Sequence, residues 1–100
     1  MQKTSPDKKV AFEIGCTANV VLLTPTRIFC ASIGDSRSML IRKDTFEVLS
    51  QDHKPTNPYE KNRIKKAGGR VTNGRINNGL NISRSFGDFA VKNNQKKLYN

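Results

Sequence analysis

Ile33-Gly34-Asp35-Ser36-Arg37 is the stretch on which the chain turns. Apolar residues run into it from Ile28 and out of it through Met39, Leu40 and Ile41. Two β-rich runs meeting at Gly-Asp-Ser predict a tight hairpin. Gly takes φ > 0 at little cost, and the Asp and Ser side chains bond neighbouring backbone groups. Such a turn lifts Asp35 to the rim of an otherwise apolar sheet. A carboxylate there serves either as a local turn bond or as a ligand to a hard cation. The residues of this stretch leave both open.

Working outward, Ala18 to Leu23 is nearly continuous apolar sequence, ended by Thr24-Pro25-Thr26. That predicts a strand covered on both faces. Ile28 to Ile33 repeats the character, Ser38 to Arg42 follows the Gly-Asp-Ser turn, and Lys43-Asp44-Thr45 turns the chain toward an edge strand at Phe46–Leu49. Four short strands with close turns predict an antiparallel meander. The loop Gln51–Thr56 carries the only histidine, His53. Asn57 then suits an N-cap, with Pro58 at the first helical position and Glu60 three residues after the cap. The helix should run to about Ala67 and stop at Gly68-Gly69. Glu60, Ile64 and Ala67 fall on one stripe, with Lys61, Lys65 and Lys66 toward solvent. Arg70 to Ile82 reads as short strands or loops, and Ser83 to Phe89 as one more helical turn. Residues 1–9 form a polar lead and 93–100 a polar tail or cut end, bounding a domain at 10–92.

The chain has 100 residues, enough for one small domain, and a formal net charge of +10. The charge is uneven. Up to Asp52 seven basic and six acidic residues nearly cancel, whereas from His53 onward eleven basic residues face only Glu60 and Asp88. A field of that sign draws in anions, whether nucleic acid, acidic protein or phosphorylated peptide. No run approaches the roughly 20 apolar residues that cross a bilayer, and the charged start lacks the apolar core of a secretory signal. The expectation is a cytoplasmic or nuclear protein without a membrane partner, its Cys16 and Cys30 free thiols.

The familiar reaction centres find little support here. The interval from Cys30 to Arg37 is one residue too long for a Cys-x5-Arg phosphate loop, and Cys30 lies in an apolar run, where free cysteines are inert. Two distant cysteines and His53 do not make a zinc site. His53 is read as bonding backbone rather than as an acid–base group. Arg84 and Asp88 stand at i, i+4 and suggest a local ion pair. Arg75, among Gly and Asn, is either an ordinary solvated arginine or a guanidinium able to grip a phosphate with two bonds.

Taken together, Gly15–Ala18 (GCTA), Ile33–Arg37 (IGDSR), Gln51–Ile64 (QDHKPTNPYEKNRI), Ala67–Gly69 (AGG) and Ser83–Phe89 (SRSFGDF) resemble the metal-dependent type-2C (PPM-type) protein serine/threonine phosphatases. The resemblance implies an α+β fold, part of an αββα sandwich of antiparallel sheets with flanking helices, incomplete in this chain. It implies hydrolysis of phosphoserine or phosphothreonine in phosphoprotein substrates by a water activated on Mn²⁺ or Mg²⁺. It places Asp35 beside the metal centre as a ligand to a further, weaker metal, and Arg75 in the flap, where it handles phosphopeptide. Asn78-Gly79, Asn81 and Cys16 depart from the family's usual residues. The family's Asp-Gly-His-Gly-Gly segment, early phosphate-binding Arg and late Asp-Gly and Asp-Asn motifs have no counterpart in these residues. The chain therefore corresponds to the middle of a catalytic domain and is expected to be inactive alone. Its strands near Val20, Phe29 and Leu40 should show uncovered apolar faces. The alternatives are a catalytically silent relative that binds phosphorylated partners and a basic nucleic-acid-binding module. The latter is disfavoured because the two tyrosines and five phenylalanines form no stacking pattern.

Overall fold

The computed structural model describes Val10 and residues 12–93. The polar lead at 1–9 and the end of the polar tail lie outside the described residues. From Gly15 onward the described residues form, in order, β1 (Gly15–Cys16), β2 (Ala18–Leu23), β3 (Ile28–Ile33), β4 (Met39–Ile41), β5 (Phe46–Val48), α1 (Pro58–Lys66), β6 (Val71–Thr72), β7 (Arg75–Ile76), β8 (Phe86–Gly87) and α2 (Phe89–Asn93). The class is α+β.

The strands form four separate antiparallel pairs: β2 with β3, β4 with β5, β6 with β7, and β1 with β8. The single meander expected from the sequence is therefore replaced. β3 spends its six residues on β2, from Ala18↔Ile33 to Leu23↔Ile28, and β4 spends its three on β5. Gly34 to Ser38 is thus not a hairpin turn but the joint between two ladders. The true hairpins close where Thr24 N donates to Arg27 O (2.9 Å) and where Arg42 N donates to Thr45 O (2.8 Å). A third hairpin joins β6 to β7 through Asn73 (φ 50°) and Gly74 (φ 71°). Two successive positive φ values make the type I′ turn that matches strand twist, and Asn-Gly is its preferred dipeptide.

α1 follows its capping chemistry. Asn57 accepts from Tyr59 N (3.0 Å), Pro58 opens the helix, and Gly69 N returns to Ile64 O (2.9 Å) past Gly68 at φ 83°. Its inner stripe is the expected one, with Glu60, Ile64 and Ala67 all buried. The region read as a further helical turn differs. Ser83 to Ser85 is irregular, Phe86–Gly87 pairs with Gly15–Cys16, and the last helix begins only at Phe89. Asp88, at φ 53°, breaks any helix from the preceding turn. Its carboxylate lies where a Cβ on Gly15 would stand, so any larger residue at 15 would push the Asp88 side chain aside. α2 also runs across the 92/93 boundary drawn from composition.

Among the described residues, Ile64, Ala67, Ile76 and Pro55 are buried apolar side chains. The hairpin faces are bare: Val20 is 61% exposed, Phe46 67% and Ile41 77%, and Phe29 is exposed with them. Leu40 itself is half-buried between exposed neighbours. β2, expected to be covered on both faces, exposes Val20 through Leu23. Burial of such side chains stabilises by about 1.5–3 kcal/mol each, and here that contribution is not realised within the chain.

Candidate functional site

Asp35 sits on the joint between β3 and β4, and the chain holds that joint from three directions. From the loop before α1, His53 N donates to Gly34 O (2.9 Å) while Gly34 N donates to His53 Nδ1 (3.0 Å). Gly34 is buried at φ 96°, and a Cβ there would meet Thr17. Arg37 grips Asp52 with two bonds, Nε to Oδ1 (3.0 Å) and Nη2 to Oδ2 (2.8 Å). That fork is the first cause holding the Asp52 carboxyl below its ordinary pKa. From the β1–β2 side, Thr17 Oγ1 meets Ser36 Oγ (2.6 Å) and Asn19 Nδ2 donates to Ser36 O (2.8 Å). From the far side, Ser83 N donates to His53 O (2.8 Å). His53 is thus the backbone-bonding histidine expected from its position.

Within this clasp the Asp35 carboxylate is half-buried and bonded by the ammonium of Lys54. It is not spent on a local turn bond. A hard oxygen donor that already faces a cation fits a divalent-ion site as one ligand. It cannot complete one, because no cluster of three or more acidic, His or Cys side chains able to hold a metal occurs among the described residues.

Arg75 lies on β7 opposite Thr72, exposed, with Nη1 donating to Gly79 O (2.7 Å). No hydrogen bond or ion pair joins it to Asp35 among the described residues. The hairpin that carries it nevertheless reaches toward the clasp. A Cβ on Gly74 would stand 3.9 Å from Thr56 Cγ2, two residues from Lys54.

Beside the clasp, α1 is tied to the segment before β8. Burial of Glu60 opposes its ionisation, but bonds from Arg63 and Arg84 outweigh that and hold its pKa at about 2. Ser83 Oγ, also buried there, adds a weaker pull without forming a bond of good geometry. Arg63 Nη2 donates to Oε2 (2.7 Å), and Arg84 donates to Oε1 through Nε (3.1 Å) and Nη2 (2.7 Å). Arg84 therefore pairs with Glu60 across 24 residues and not with Asp88, as the i, i+4 spacing suggested. An open cleft of about 470 Å³ between this network and the clasp is lined by Ile33, His53, Glu60 and Arg84. The Asp52, His53, Glu60 and Arg84 side chains in its lining are already engaged.

The whole chain, residues 1–100, matches the sequence profile of the family described as Protein phosphatase 2C. This chain belongs to that family. It is 51% identical over 82 residues to Protein phosphatase 2C 1 of Paramecium tetraurelia, covering 82% of this chain and 27% of the relative. It is 52% identical over 79 residues to Protein phosphatase 2C homolog 3 of Schizosaccharomyces pombe (79% and 19%), and 49% identical over 82 residues to Protein phosphatase ppm-1.G of Caenorhabditis elegans (82% and 17%). The phosphatase 2C chain thus spans about a quarter or less of the length of these relatives. Lys54, Arg37 and Glu60 were not singled out as site residues. The charged triplet Asp52-His53-Lys54 facing a loop with its own Asp and Arg was the one available signal.

Proposed function

We propose that the protein carrying this chain is a Mn²⁺- or Mg²⁺-dependent protein serine/threonine phosphatase, with Asp35 as one metal ligand and Arg75 as a contact to phosphoprotein substrate. What carries the proposal is the placement of Asp35: a half-buried carboxylate, oriented by a clasp of long-range bonds and already facing a cation. Divalent cations in such an enzyme supply an acidified water and neutralise charge gathering on phosphoryl oxygens. The residues of this chain hold and orient. The Gly34–His53 and Arg37–Asp52 contacts hold the residues on either side of Asp35, and a divalent cation bound there would take the place of the Lys54 ammonium on its carboxylate. Arg75 keeps guanidinium donors beyond the one given to Gly79 O and can take a phosphate oxygen with them.

The test uses the full-length protein. Asp35→Asn should weaken Mn²⁺ binding measured by calorimetry and raise the Mn²⁺ concentration needed for phosphopeptide hydrolysis, with the urea midpoint little changed. Unaltered Mn²⁺ affinity in that variant would remove Asp35 from the metal site. Phosphopeptide binding without any metal-dependent hydrolysis in the wild type would favour a silent binding relative instead.

A further inference from the structure

We infer that phosphosites set in acidic stretches are this protein's preferred substrates, docking on a cationic tract formed by Lys61, Lys65, Lys66 and Arg70. The inference rests on the phosphatase reading above and names the kind of substrate it selects. From His53 to Lys92 the chain has two carboxylates, Glu60 and Asp88, and both are buried. Glu60 is saturated by Arg63 and Arg84. Lys54 is taken by Asp35, and Lys92 donates to Ser85 O. Lys61, Lys65, Lys66 and Arg70 are exposed, and no ion pair engages them among the described residues.

Helix stability does not account for this set. Lys65 and Lys66, in the last turn, suit the helix dipole. Lys61, in the opening turn and a turn away from Lys65, is unfavourable on both counts, and Arg70 lies beyond the helix. The tract also leads somewhere. Arg70 N donates to Asn77 Oδ1 (2.9 Å) and Asn77 N donates to Arg70 O (2.8 Å), fastening it to the hairpin of Arg75. The tip of that hairpin approaches Thr56, beside the Lys54–Asp35 contact. An extended acidic segment lying along α1 would be carried toward the proposed site. Exposed cations without counter-ions raise the local concentration of such a segment, and do so less as salt screens them.

The experiment compares, in full-length protein, two peptides sharing one phosphothreonine core, flanked by Glu in one and Gln in the other. The acidic peptide should show a kcat/KM about tenfold higher at low salt, the lower end of the gain such fields give, shrinking as salt is added. The quadruple variant K61E/K65E/K66E/R70E should bring the ratio to one or below, with its urea midpoint as the check on folding. Anisotropy of the labelled acidic peptide without divalent metal reads docking separately. Tract-dependent binding with no hydrolysis of either peptide supports docking and rejects the phosphatase reading. Equal kcat/KM for the two peptides, a ratio unchanged in the variant, or tighter tract-dependent binding to RNA or phosphatidylserine vesicles overturns the inference.

Discussion

Replacing Glu60 by Gln tests what ties α1 to the rest of the chain. The substitution keeps the shape, removes the charge and leaves an amide where two guanidinium groups expect a carboxylate. A folded-state pKa of about 2 against an ordinary 4.5 corresponds to about 3 kcal/mol in favour of the ionised, bonded carboxylate. Arg63 and Arg84 are each about a third exposed, 36% and 37%, and regain water when the partner is lost. The expected destabilisation is therefore about 2 kcal/mol, below the 3–5 typical of a fully buried pair. Because the folded-state pKa lies below the unfolded one, this stability is complete above about pH 4.5 and is lost as pH falls toward 2. Urea unfolding of full-length wild type and Glu60→Gln, followed from neutral pH downward, reads both features. A difference under about 0.5 kcal/mol at neutral pH, or one that persists undiminished at about pH 3, would refute the reasoning.

Asn57→Ala removes the bond to Tyr59 N and should cost about 1 kcal/mol in the same unfolding assay, with Asn57→Ser largely restoring it. Gly34→Ala meets both a positive φ and Thr17, so it should lose at least about 1 kcal/mol; it should also weaken Mn²⁺ binding, because the clasp on Asp35 is disturbed. The 100-residue chain purified alone should bind a hydrophobic dye, self-associate through its bare hairpins and show negligible Mn²⁺-dependent phosphopeptide hydrolysis. A robust rate abolished by chelation would contradict that.

Local chemistry was legible in the sequence and distant pairing was not. Asn57, Pro58 and Gly68 mark α1 because caps act within a turn of the helix they end. The stripe of Glu60, Ile64 and Ala67 was readable as the buried face, but nothing near Glu60 announces a partner 24 residues on. The i, i+4 spacing of Arg84 and Asp88 pointed to a helix that the positive φ of Asp88 forbids. The joint at Gly34 was recognised as a bend around Asp35. Its assignment as a hairpin failed because β4 pairs with β5 and not with β3, and Gly34 is held from position 53. Asn73-Gly74 was a readable hairpin signal, passed over because Val71 and Ile76 are too isolated to look like strands.

The uncovered sides of β2 and β3 also set a timetable. Val20, Leu22 and Phe29 stay wet until some other surface reaches them, so any lag during synthesis leaves a sticky hairpin open to holdase chaperones and to its own copies. A substitution that delays such covering would then lower the amount of protein in the cell while leaving every residue around Asp35 untouched.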